Sequence, residues 1–171
     1  MTQGPFLEML AMGIQGEEQL IEFLKEQGFT IDWWAEDEAK YTHKGPRLNG
    51  LIKPDLLVTR NGQQYWIDSK RKSAPIFYGI AREWRHGIDG KCYWHYLEIE
   101  HQTNIPVWIA FIEPSISHFS DQYSKRVGYT LDIGGVWFTP LDATPVRQDF
   151  ATNDYHHMIY WNRAHMQRLI P

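Results

Sequence analysis

Cysteine is almost absent from this sequence. Cys92 is the only one in 171 residues, so no internal disulfide can form, and no CxxC or Cys/His ladder offers a zinc site. Long apolar runs are missing too, and none approaches the ~20 residues that a membrane-spanning helix needs. Glu8 falls where a secretory leader carries its apolar core, and no basic leader precedes it. These absences predict a soluble, cytoplasmic protein. No repeat, low-complexity tract or linker interrupts the chain, so residues 1–171 are expected to form one domain. Positive charge is not in excess either. Seventeen Lys+Arg against 21 Asp+Glu leave a net charge of -4, which excludes an overall basic field and leaves any polyanion binding to local patches. Aromatic residues, in contrast, reach 15% with eight Trp, which suits core and subunit packing or stacking on nucleic-acid bases.

The patterning is that of a mixed α/β chain. Residues 16–27 read as an amphipathic helix closed by Gly28, and 29–34 as a first strand. A polar loop over 36–50 follows. Strands at 55–60 and 63–70 flank Asn61-Gly62, the dipeptide preferred in type I′ hairpin turns because both central residues take positive φ. Ser, Pro and Gly make 71–88 read as an irregular excursion. A helix over 89–102 then leads into a strand at about 105–113. A further hairpin is expected around Gly134-Gly135, and residues 160–170 read as a short strand passing into a helix. The order α-β-β-β-α-β predicts a central mixed sheet flanked by helices.

The hairpin has a geometric consequence. A two-residue loop at 61–62 pairs residues whose numbers sum to 123, so Asp55 faces Asp68, and Lys70 shares the Asp68 face by the period-two alternation of a strand. Directly opposed Cβ atoms lie about 4.5–5.5 Å apart, and like charges there destabilise the pair unless something cationic lies between them. A hard divalent cation bound through oxygen is the natural candidate. The neighbours on both faces are apolar (Leu57 and Trp66 on one; Leu56, Val58, Tyr65 and Ile67 on the other), and charges so placed usually mark a site. On the first helix, Glu17 phases with Leu20, Ile21, Leu24 and Gly28, whereas Glu18 groups with Glu22 and Lys25 on the polar side. Glu17 either joins the acids or merely borders the positive end of its helix.

Pro54-Asp55, then Asp68 thirteen positions on, with Ser69 and Lys70, resembles the PD-(D/E)xK nuclease superfamily. GEEQLIEFLKEQGF at 16–29 followed by this hairpin is similar to the opening of the Holliday-junction resolvases within it. The resemblance covers about residues 16–70, and its second acid is Asp where Glu is commoner. It implies a restriction-endonuclease-like αβββαβ core and Mg²⁺-dependent endonuclease activity on DNA, with Mn²⁺ able to substitute. It assigns Glu17, Asp55, Asp68 and Lys70 to catalysis, with Asp55, Asp68, the Ser69 carbonyl and Glu17 around the metal. A homodimer is compatible with cutting both strands.

Downstream, Arg71, Lys72, Arg82 and Arg85 place positive charge where a phosphate backbone would run, or else form a solvated loop. Tyr96 on the second helix either faces the site or packs. His95, Glu98 and His101 lack HExxH spacing. Other readings of the chain are a catalytically silent nucleic-acid-binding or assembly module, and an enzyme acting on a small phosphate compound.

Overall fold

Helix α1 spans Pro5–Glu26, beginning upstream of the expected start at residue 16. In the computed structural model the described residues are 5–35, 46–71, 75–78, 82–113, 134–143, 147–149 and 157–169. The helix ends as its sequence predicts. Gly28 takes φ +82°, its N–H bonds to the Lys25 carbonyl, and Phe29 N–H reaches back to Leu24, which is a Schellman closure. After β1 (Thr30–Trp34) come the short strands β2 (Arg47–Leu48) and β3 (Leu51–Ile52). β2 lies inside the segment read as a loop, and β3 follows directly after it. Asn49 and Gly50 both have positive φ, so a second Asn-Gly turn joins them, and the brevity of the ladder hides it from periodicity.

β4 (Leu56–Arg60) and β5 (Gln63–Arg71) form the expected hairpin. The stretch 71–88 departs from expectation. Its described part contains β6 (Ile76–Tyr78) and β7 (Glu83–Asp89), paired antiparallel. The punctuation that suggests irregular chain includes Gly87, which is needed for contact. A Cβ there would lie 2.5 Å from the ring of Tyr160, on a strand far along the chain. Helix α2 (Gly90–Thr103) and β8 (Val107–Glu113) follow close to their predicted limits. Then come β9 (Gly135–Pro140), β10 (Arg147–Asp149), β11 (Met158–Asn162), a 3-10 turn (Arg163–His165) and β12 (Gln167–Leu169). The hairpin expected around residues 134–135 is represented by β9 alone, since residues 129–133 lie outside the described ones. The predicted terminal helix is a strand instead. β12 pairs antiparallel with β9, and this distant partner overrides local helical propensity.

The central sheet has the order β1-β4-β5-β8-β9-β12 and is mixed, with β5 and β8 parallel and the other neighbours antiparallel. A second, antiparallel sheet has the order β10-β11-β7-β6. On one face of the central sheet Leu20 and Leu24 of α1 pack on Leu56, Val58, Ile67 and Ala110. On the other, Tyr96 and Ile99 of α2 join Trp66, Val107, Ile109 and Phe111, together with Ile88 and Ile159 of the second sheet. The result is the anticipated mixed α/β fold, a central mixed sheet flanked by two helices. No helix among the described residues is long and apolar enough to cross a membrane.

Candidate active site on the β4–β5 hairpin

Asn61 and Gly62 take φ of 52° and 78°, and the ladder runs from Arg60↔Gln63 to Leu56↔Ile67. One step further sets Asp55 against Asp68. Asp55 lies immediately before β4, where its Oδ2 accepts from the Ser69 backbone N–H at 2.8 Å and from Ser69 Oγ at 3.1 Å. Asp68 is fully buried. Its Oδ1 accepts from the Tyr96 hydroxyl at 2.6 Å. Its Oδ2 lies 2.6 Å from the Lys70 ammonium, its charged partner. Lys70 Nζ also donates to the Ser69 carbonyl at 3.3 Å. Parallel pairing sets Asp68 beside Ile109 and Lys70 beside Phe111, so both point to the face that α2 covers.

Glu17 arrives from α1. Its Oε2 accepts from Trp34 Nε1 at 2.9 Å, and the carboxylate is near enough to act on Asp55. Four residues from three segments thus share one neighbourhood.

The electrostatics record an excess of negative charge. Asp55 is pushed up to about 8, by burial first, then by Asp68 and Glu17, against opposing help from Lys70 and the Ser69 N–H. Burial pulls Lys70 down, but Asp68 and Asp55 outweigh it and hold its ammonium above the ordinary lysine range. Lys70 is therefore a fixed cation, not a base. Tyr96 is raised well above 10, by burial and then by the two aspartates, so its hydroxyl keeps its proton and stays a donor.

Among the described residues no three His, Cys, Asp or Glu side chains group closely enough to hold a metal by themselves. Two carboxylates with a carbonyl and water are nevertheless a sufficient set for Mg²⁺, which keeps several of its waters. The donor chemistry fits. Two buried carboxyls stand beside one ammonium, and burial, then the charge of Asp68, makes Asp55 keep its proton.

The basic residues singled out in the sequence separate in space. Arg71 is exposed at the end of β5, where its guanidinium donates to Gln15 at 3.1 Å. Arg82 is exposed at the head of β7. Arg85 is buried, its guanidinium held by Glu83 at 2.9 and 3.1 Å and placed 4.1 Å from the Tyr78 ring centre. It is built into the second sheet, not turned outward. Lys72 lies outside the described residues. Nor do His95, Glu98 and His101 gather. His95 accepts from the Ile52 N–H at 2.9 Å, which ties β3 to α2.

Two groups at the site carry little weight in the sequence. Tyr96 packs and bonds Asp68 at once, so the choice between facing the site and packing is not exclusive. Its place on the buried stripe of α2, with Tyr93 and Ile99, is the available signal. Cys92, one turn earlier, is half-buried within electrostatic reach of Lys70 and Asp68.

Beyond Phe111 lies a second buried polar cluster. Glu113 accepts from Arg163 at 2.7 and 2.6 Å and from the Gly134 N–H at 2.9 Å, and its Oε1 is 2.7 Å from His86 Nε2. The His86 ring stacks on Phe111, with centres 4.7 Å apart. The cluster ties the second sheet to the central sheet beside Lys70.

No protein-family model matches the sequence, and no curated protein matches it. Among solved structures, the chain is similar to Hjc of Archaeoglobus fulgidus, a Holliday junction resolvase from an archaeal hyperthermophile, with a TM-score of 0.54 over 92% of each chain at 10% identity. At that identity the likeness is one of fold: this chain has the fold of an archaeal Holliday junction resolvase.

Proposed function

We propose that this chain is a divalent-metal-dependent endonuclease of the PD-(D/E)xK type, a single domain acting in the cytoplasm on phosphodiester bonds in DNA. The observation that carries this reading is the convergence of Asp55, Asp68 and Lys70, with the Lys70 ammonium 2.6 Å from a buried Asp68 oxygen, on a resolvase fold.

Asp55, Asp68 and the Ser69 carbonyl would hold Mg²⁺ or Mn²⁺, with Glu17 outside them. Bound there, the ion supplies Lewis acidity to the phosphate and lowers the pKa of a coordinated water. Lys70, whose ammonium now lies between Asp68 and the Ser69 carbonyl, offers positive charge to the scissile phosphate and a hydrogen bond to the attacking water. Trp34 fixes Glu17, and Tyr96 fixes Asp68, so both acids are oriented before substrate arrives. Arg71, whose guanidinium donates to Gln15, and Arg82 are exposed cations that would meet the phosphate backbone.

The test is cleavage of duplex, single-stranded, flapped and four-way-junction DNA with Mg²⁺ or Mn²⁺. Asp68→Asn and Lys70→Met should each lower the rate by at least about 10²-fold without loss of fold. Undiminished metal-dependent cleavage by both variants would sink the assignment. A catalytically silent DNA-binding module is the competing reading, favoured by the net charge of -4 and by the burial of Arg85. Binding without cleavage on every substrate would select it.

A further inference from the structure

The second sheet meets the central sheet around a cavity of about 230 Å³ that metal-assisted cleavage does not use. Its walls include Arg82, Trp84, Trp137, Asn162 and Arg163, with Glu83, whose carboxylate is neutralised by Arg85. We propose that this cavity receives an unpaired nucleobase of the DNA substrate, so that the chain prefers DNA with an unstacked nucleotide near the cleaved bond. The proposal rests on the nuclease reading and narrows its substrate.

Four observations support it. The first is size, since the volume is several times the ~30 Å³ share of one water and admits a flat heteroaromatic ring. The second is the lining. The Trp84 indole offers a ring face, and the Arg82 guanidinium and Asn162 amide offer hydrogen-bonding groups, a combination that suits a base. Arg163 is already neutralised by Glu113, which also disfavours an anion inside the cavity. Third, Trp137 is held in place. Its Nε1 donates to the Gly134 carbonyl at 3.2 Å, and the guanidinium groups of Arg163 and Arg168 lie 3.8 and 5.1 Å from its ring centre, so it forms a fixed wall and leaves stacking to Trp84. Fourth, Arg82 at the rim takes φ +55°, a left-handed conformation costly for a residue with a long side chain and one that clusters at binding sites. It leaves an exposed cation beside the opening for the phosphate next to the base.

Position links the cavity to the acids. Arg163 bonds Glu113, which lies two residues beyond Phe111, the partner of Lys70 on the adjacent strand. With strands about 4.8 Å apart and about 3.3 Å per residue, Glu113 and Lys70 are about 8 Å apart along the sheet. The Glu113–Arg163 pair that backs the cavity therefore stands on the same face of β8 as Phe111, the neighbour of Lys70.

The experiment measures binding in EDTA to three DNAs of one sequence: a duplex, the same duplex with a single bulged 2-aminopurine, and a single strand. The wild-type chain should bind the bulged and single-stranded forms about tenfold more tightly than the duplex, with 2-aminopurine fluorescence quenched. Trp84→Leu should remove most of that preference and the quenching while leaving duplex affinity unchanged. Arg82→Gly, which relaxes the backbone, should weaken the bulged form severalfold and guards against misfolding of the tryptophan variant. Equal wild-type affinity for all three DNAs, or equal weakening on all three in both variants, overturns the proposal. If wild type cuts duplex DNA without such a preference, the base site fails and the nuclease reading stands. Absence of binding and cleavage on every DNA removes both.

Discussion

Tyr96 on α2 donates a 2.6 Å hydrogen bond to Oδ1 of Asp68 on β5, and both side chains are buried. A helix and a strand twenty-eight residues apart thereby share one fixed carboxylate orientation. Tyr96→Phe keeps the ring and removes only the donor. Metal affinity should fall about 10- to 100-fold, the usual effect of losing a group that orients a ligand. Calorimetric titration with Mn²⁺ measures it, and unchanged affinity would show that the bond orients nothing of consequence.

The Asp55 carboxyl is pushed up to about 8 in the folded chain from 3.8. Between those values the folded state retains a proton that the unfolded state has released. Its contribution to stability is therefore complete below about pH 4 and is lost as pH rises to about 8. Metal-free wild-type protein should melt several degrees lower at about pH 8 than at about pH 5 relative to Asp55→Asn, in which this slope disappears. Saturating Mn²⁺ should flatten the wild-type slope, because the ion replaces the proton. Parallel melting curves for the two proteins across this range would refute the assignment of surplus charge to Asp55.

Glu113 has the opposite shift. Burial raises its carboxyl, but hydrogen bonds from His86, Arg163 and Gly134 outweigh burial and hold it below the ordinary 4.5. The stability it contributes is present above that value and is lost as pH falls below it. Glu113→Gln leaves the Arg163 guanidinium buried without its counter-charge and should cost about 3–5 kcal/mol in urea unfolding. The pair Glu113→Leu with Arg163→Met should recover most of that loss. If the double variant is no better than the single one, the cost comes from packing and not from charge.

Two glycines separate crowding from backbone conformation. A Cβ on Gly87 would lie 2.5 Å from the Tyr160 ring and 2.8 Å from the Ile159 carbonyl, so Gly87→Ala should cost about 1–3 kcal/mol by overpacking. Gly62 has open space but φ +78°, and Gly62→Ala should cost about 1–2 kcal/mol through conformation alone. Enlarging further to Val should worsen position 87 far more than position 62, and urea unfolding measures both series. Equal costs at the two positions would contradict the pairing of β7 with β11.

Local chemistry alone makes the acid–acid–lysine geometry legible in the sequence. Asn61-Gly62 accepts two positive φ values, a two-residue turn admits one register, and the pleat alternates faces. Asp55, Asp68 and Lys70 are thereby related with no distant information. Helical phasing places Glu17 toward the core by the same local logic. Tertiary structure decides the remainder, because it depends on partners far along the chain. Gly87 reads as a strand residue only once Tyr160 lies against it, and residues 167–169 become β12 only because β9 offers an open edge. Arg85 reads as a surface cation until Glu83 takes it into the interior, and Arg163 is buried against Glu113. Hydrogen bonds and ion pairs between distant segments form wherever the fold brings complementary groups together, and no spacing in the sequence encodes that meeting.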